Sequence, residues 1–214
     1  MKKKQQNIAE GPKSTLASPP AKKHLYKKPC MLTFTGKVIN PLELTVDDIC
    51  IEDIAHALSN MCRYNGHVSK FYSVAEHCII MAATDEFPGW APWKLLHDAS
   101  EAYIPDVCAG FKDYLKDFEE IENRILKVIA EKFGLPELEG DMLAEVKIGD
   151  KEMIYWEAKE LMPAHPVWTD IQTEQLRAKK VEILKLTPWQ AEELYLKAFY
   201  HMYRPVEEGE DAVA

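Results

Sequence analysis

Apolar residues recur at helical steps in six stretches of the chain, separated by polar or proline-bearing breaks. Ile51, Ile54, Ala55, Leu58 and Met61/Cys62 fall three or four apart and run into Gly66, the one-sided stripe and stop signal of an amphipathic helix. Ser73-Val74-Ala75-Glu76 reads as a capping box, so a second helix starts at Ser73 and turns Val74, His77, Ile80 and Met81 inward. A third opens at Ala91-Pro92-Trp93-Lys94-Leu95-Leu96, where Pro92 suits a first turn, and runs on through His97 as a buried helix end. A fourth is expected from about Tyr114 to Phe133, with Leu115, Phe118, Ile121, Ile125, Val128 and Ile129 as its stripe and Gly134 as its C-terminal signal. A fifth spans about Asp141 to Met162. The last opens on Thr187 as cap and Pro188 in the first turn and continues through Leu194, Ala198 and Met202. Thr33 to Ile39 reads as a short strand before a turn at Asn40-Pro41, and Pro163-Ala164-His165-Pro166 breaks the chain before a loop that holds Trp168. The pattern predicts an all-α domain over 31–205, flanked by a basic tail at 1–30 and an acidic tail at 206–214.

Composition narrows the class. With 214 residues, 47% of them hydrophobic, one domain can bury a sizeable core. The five cysteines are odd in number and form no C-x-x-C pair, which argues against a disulfide framework and a structural zinc knuckle and for reduced thiols in a cytoplasm. No window approaches the roughly 20 apolar residues of a membrane span, so a soluble, cytoplasmic protein without membrane contact is expected. Residues 1–30 carry eight Lys and one Glu, so the remaining residues carry −16 within a total of −9. So acidic a body is a poor binder of nucleic-acid backbone. The basic tail reads either as a solvated extension or as an arm for a partner, the first being favoured.

Polar residues on the inward faces point to chemistry. His97, Asp98, Glu101 and Asp106 crowd into ten residues of the third segment, and helical spacing puts His97 and Glu101 on one face. Asp150 interrupts the stripe Leu143, Val146, Met153/Ile154, Glu157/Ala158 and Leu161 where a hydrophobe is expected. Buried charges are paired or bound to metal, because desolvating a lone carboxylate costs several kcal/mol. His77 alone reads more readily as a core histidine than as a ligand. Together with His97-Asp98 and Asp150 it makes a mixed N/O set suited to a borderline divalent ion such as Mn, Co, Fe, Ni or Zn. Arg63, Tyr64 and His67 close the first helix: a cation there could meet a phosphate and an aromatic could stack on a base, or Arg63 simply complements the helix dipole. Lys112 is a further candidate phosphate contact.

These segments resemble the HD-domain metal-dependent phosphohydrolases, in the small nucleotidase-like branch of bacteria and phages. The likeness covers about Thr33 to Tyr203 and rests on Ser73-Val74-Ala75-Glu76-His77, His97-Asp98-Ala99-Ser100-Glu101 through Asp106, Lys112, and Val146-Lys147-Ile148-Gly149-Asp150. Cys108-Ala109-Gly110 stands where that family often has Pro-x-Pro before its lysine. The resemblance implies a helical bundle with a divalent metal site between core helices, the ion being Mn, Co, Fe, Ni, Zn or Mg, with His77, His97, Asp98 and Asp150 as ligands. It implies Glu101 as the carboxylate that handles protons, Asp106 beside it, and Arg63, Tyr64, His67 and Lys112 on the substrate side. The expected activity is hydrolysis of a deoxynucleotide, as a 5'-deoxynucleotidase or a dNTP triphosphohydrolase, by a homo-oligomer. The alternatives are a hydrolase of a signalling nucleotide, cyclic or a guanosine polyphosphate, and a non-catalytic HD interaction module.

Overall fold

The computed structural model describes residues 30–107, 109–112, 114–165, 176–178 and 180–203. Seven helices carry nearly all of its regular structure: α1 (Ile51–Asn60), α2 (Val74–Ala83), α3 (Ala91–Leu96), α4 (Ala109–Lys112), α5 (Phe118–Phe133), α6 (Gly140–Leu161) and α7 (Pro188–Met202). The strands β1 (Met31–Leu32) and β2 (Val38–Ile39) form a small antiparallel hairpin. The domain is all-α, as its hydrophobic pattern predicts. The tails and the Trp168 loop lie outside the described residues.

Eight of the ten residues of α2 are buried, His77 among them. A helix enclosed on nearly all sides is the centre of a bundle rather than its surface. α1 packs against α2 and α7, α3 lies along α2, and α7 closes over α1, α2 and α3. Ile54, Leu58, Met81, Trp93, Leu95, Leu96 and Tyr195 fill the space between them with no exposed surface. The Tyr195 hydroxyl donates to the Leu95 carbonyl at 2.8 Å, and Trp93 Nε1 donates to Pro136 O at 2.9 Å. These bonds satisfy the polar tips of buried aromatic rings. α6 approaches α2 through Gly149, where an added Cβ would come within 2.9 Å of Met81 Cε. That close approach carries the neighbouring Asp150 toward His77.

Four local expectations are corrected. Thr33–Ile39 is not one strand: Thr33 and Lys37 pair across a turn at Gly36, whose φ of +88° suits glycine, and the Thr35 amide and hydroxyl bind the Asp53 carboxylate at 2.7 and 2.8 Å. This clamps the hairpin onto the first turn of α1. The capping box of α2 is half formed. Ser73 Oγ accepts from the Glu76 amide at 3.1 Å, but the Glu76 carboxylate turns away to accept from the Lys185 and Leu186 amides at 2.7 and 2.8 Å. It thereby fastens the segment before α7 to the central helix. α5 begins at Phe118 rather than near Tyr114, because Asp117 takes φ 67° and Tyr114 points into solvent. Finally, α3 stops at Leu96, Asp98 has φ −95° and ψ 8°, and Ala99–Ala102 is a 3-10 turn. His97 and Glu101 therefore share no α-helical face; the turn spreads the four ionisable groups around a cleft.

Candidate metal centre

His77, fully buried in the middle of α2, has a partner on each ring nitrogen. Its Nδ1 lies 2.6 Å from Glu157 Oε1. Its Nε2 faces Asp150 Oδ1 at 3.2 Å, His97 Nε2 at 3.3 Å and Asp98 Oδ2 at 3.9 Å. His97, at the C-terminal end of α3, places its Nδ1 3.0 Å from Lys94 O and its Nε2 3.3 Å from Asp98 Oδ1. A carbonyl oxygen only accepts, so His97 Nδ1 carries the hydrogen; an ionised Glu157 imposes the same on His77. Both rings thus commit Nδ1 as donor and aim Nε2 at one point. One atom each from His77, His97 and Asp98 lie within 4.8 Å of one another, and Asp150 Oδ1 approaches this trio from α6 on the His77 side, 3.2 Å from His77 Nε2. Three of the four expected ligands thus form one close group, supplied by α2 and the turn after α3, and the fourth, Asp150, adjoins it from α6.

Arg63 and Tyr64 enter from a strained turn. Cys62 and Ser73 form an isolated antiparallel bridge, and between them Tyr64, Asn65 and Gly66 have φ of 56°, 51° and 78°. For Tyr64 this left-handed backbone costs about 1–2 kcal/mol, while Asn65 is a residue that adopts it more readily. The turn is held by what it delivers. Arg63 lies 3.4 Å from Asp98, 3.8 Å from Asp150 and 3.4 Å from Glu157, and the Tyr64 hydroxyl donates to Glu157 Oε2. His67 ends this turn in an exposed position and does not join the cluster. The other side chains expected on the substrate side, Arg63, Tyr64 and Lys112, line one cavity of about 350 Å³ with Glu101 and Asp106. A volume of that size suits a small-molecule ligand. Asp98, Asp150, Asn65, Val107 and Ile154 complete its wall.

Charge is unbalanced within the cleft. Burial, reinforced by the neighbouring Asp98 and Asp106, pushes the Glu101 carboxyl up to about 10. Burial likewise raises Asp106, which accepts a hydrogen bond from Glu101. Glu101 Oε2 and Arg63 Nε are buried without a protein partner among the described residues. Burial disfavours ionised Glu157, but the charges of Arg63 and His77 overcome it and hold this carboxyl down at about 2. Asp150 also stays below the usual carboxylate range: burial opposes ionisation, and the bond to His77 together with the charges of His77, His97 and Arg63 outweighs it. Lys112 pairs with Glu122 at 2.9 Å at the mouth, beside the Phe118 ring. Carboxylates and imidazole nitrogens crowded this closely have the chemistry of a cation seat, and the donor types of His77, His97, Asp98 and Asp150 fit a divalent metal.

Glu157 is the site residue that lies outside the expected set. It occupies the same face of α6 as Asp150, two turns on, where the signal of an acid on a buried side applies equally.

Fold and site together define an all-α protein with a histidine–carboxylate centre between its core helices. No family model matches the chain. It is 43% identical over 131 residues to the uncharacterized protein YfdR of Escherichia coli strain K12, covering 60% of this chain and 70% of that one. It is 35% identical over 111 residues to the uncharacterized protein RCAP_rcc00048 of Rhodobacter capsulatus, covering 48% of this chain and 57% of the relative. The chain belongs to the family of YfdR. Among the described residues no helix is long and apolar enough to cross a membrane.

Proposed function

We propose that the protein is a divalent-metal-dependent phosphohydrolase of the HD-domain type acting on deoxynucleotides. The observation that carries this reading is the close group formed by His77, His97 and Asp98, with Asp150 Oδ1 3.2 Å from His77 Nε2, beside a cavity holding Arg63 and Lys112. Imidazole nitrogens and carboxylates this close together suit a cation that displaces the His77 proton, and the adjoining guanidinium and ammonium suit an anion. A divalent ion held by His77, His97, Asp98 and Asp150 would supply Lewis acidity toward a phosphate oxygen and the attacking water. Arg63, already poised over Asp98 and Asp150, and Lys112 neutralise charge on the phosphoryl group. Tyr64, Val107 and Ile154 offer apolar surface for the base and sugar. Glu101 accepts the proton of the attacking water once positive charge in the cleft lowers its proton affinity, and Asp106 shares that proton. Water oxygen bonds to phosphorus, the bond from phosphorus to the 5' oxygen breaks, and that oxygen takes up a proton. On a monophosphate this gives a deoxynucleoside and phosphate; on a dNTP, attack at the α-phosphorus gives a deoxynucleoside and triphosphate.

The test is chelation. Treating the purified protein with EDTA should abolish hydrolysis of dNMPs and dNTPs, and Mn or Co should restore it; hydrolysis that survives complete removal of metal would sink the reading.

A further inference from the structure

Four side chains converge on Glu157, which has no exposed surface. Its Oε1 accepts from His77 Nδ1 at 2.6 Å and from the Tyr72 hydroxyl at 3.0 Å. Its Oε2 accepts from the Tyr64 hydroxyl and lies 3.4 Å from Arg63. Burying a carboxylate is costly unless its lone pairs are filled, and here an imidazole, two hydroxyls and a guanidinium fill them. α6 thus sets a carboxylate on each side of one imidazole: Asp150 at Nε2 and Glu157 at Nδ1. The two oxygens of Glu157 also face different parts of the site. Oε1 serves the ring that points at the cation seat, and Oε2 serves the strained turn that forms the cavity wall.

We infer that Glu157 is a positioning residue that joins the metal seat to the substrate pocket, fixing the His77 ring through one oxygen and the Arg63-Tyr64 turn through the other. The inference rests on the metal-site reading above. Because the left-handed turn at Tyr64 and Asn65 has its strain offset by this carboxylate, removing it releases the pocket wall and the metal ligand in one stroke. A carboxylate that only filled space would, on removal, lower stability without touching either.

Calorimetric titration of the full chain with Co2+, together with its visible absorption spectrum, reads the metal side. Glu157→Gln keeps the volume but loses the charge and one acceptor. It should weaken Co2+ binding by roughly 10–100-fold, change the spectrum, and raise KM for deoxynucleotide. Tyr64→Phe, which removes the hydroxyl on Oε2 and leaves both Oε1 bonds in place, should raise KM and leave Co2+ affinity as in wild type. A folded Glu157→Gln protein that binds Co2+ as tightly as wild type, with the same spectrum, overturns the inference while leaving the metal site standing. Failure of wild type to bind Co2+ overturns both. A second measurement needs no variant at Glu157: imidazole-nitrogen NMR of the zinc-loaded wild type should show His77 metallated at Nε2 with the Nδ1 proton retained, and metallation at Nδ1 would refute the inference.

Discussion

Metal binding should release protons, and its pH dependence can be worked from His77. In the metal-free protein, burial and the Arg63 charge push this imidazole toward the neutral form, but Glu157 and the bond to Asp150 outweigh them and raise its pKa from 6.5 to about 9. At pH 7 the ring is then an imidazolium, its Nε2 hydrogen occupying the place the cation needs. A metal must displace that proton. Two pH units below 9, about one molecule in a hundred has the lone pair free, which corresponds to roughly 2.7 kcal/mol at 1.36 kcal/mol per unit. Apparent affinity for Mn2+ or Co2+ should therefore climb about tenfold per pH unit between pH 6 and 8. Glu101, held protonated up to about 10 by burial, Asp98 and Asp106, adds part of a second proton when positive charge arrives beside it. Calorimetry in buffers of different ionisation enthalpy should count between one and two protons released at pH 7. The sign for the metal-free fold is opposite. A pKa raised above the unfolded 6.5 stabilises fully below pH 6.5, and that contribution fades as pH rises toward 9. Metal affinity that is flat between pH 6 and 8, with no proton released, would refute this reasoning.

Two further outcomes test the scaffold. Glu76→Ala leaves the half-buried Lys185 and Leu186 amides without their acceptor, a loss of about 1 kcal/mol for each bond; hydrogen exchange at those two amides should accelerate, and unchanged protection would contradict the clamp. Gly89→Ala places a Cβ at φ +102°, 2.9 Å from Val146 Cγ2 and 3.3 Å from its backbone nitrogen. It should cost about 1–3 kcal/mol, read as a fall in Tm of roughly 2–4 °C per kcal/mol for a chain of this size, and a Tm at or above wild type would show that the α6 contact is not tight.

Much of the helical framework is legible in the sequence because α1, α2, α6 and α7 each write a stripe or a cap into it. Thr187 and Pro188 mark the start of α7 to the residue, and Ser73 does the same for α2. The misses have local causes. A two-residue strand leaves no alternation to detect, and nothing in the stripe from Leu115 onward reports the left-handed Asp117 that delays α5. The helical spacing of His97 and Glu101 misleads because α3 ends one residue before His97, in a turn that periodicity extends through. His77, His97 and Asp98 come together in space as their inward polar positions suggest, with Asp150 beside His77, and Arg63, Tyr64 and Lys112 line one cavity. His67 does not, since the Gly66 turn carries it outward. Glu157 is written in the same stripe as Asp150 but escapes notice beside Ala158, which alone satisfies the expectation of an apolar position. Its function as an acceptor for His77, Tyr64 and Tyr72 depends on residues 80 to 93 positions away, a relation no local pattern contains.

The most direct test of the central claim is chromatographic product analysis with Mn or Co present, using the four dNMPs and the four dNTPs, wild type against Asp98→Ala. The expected result is release of phosphate from dNMPs or of triphosphate from dNTPs, abolished in Asp98→Ala. Wild-type protein that binds metal yet turns over neither set would contradict the account.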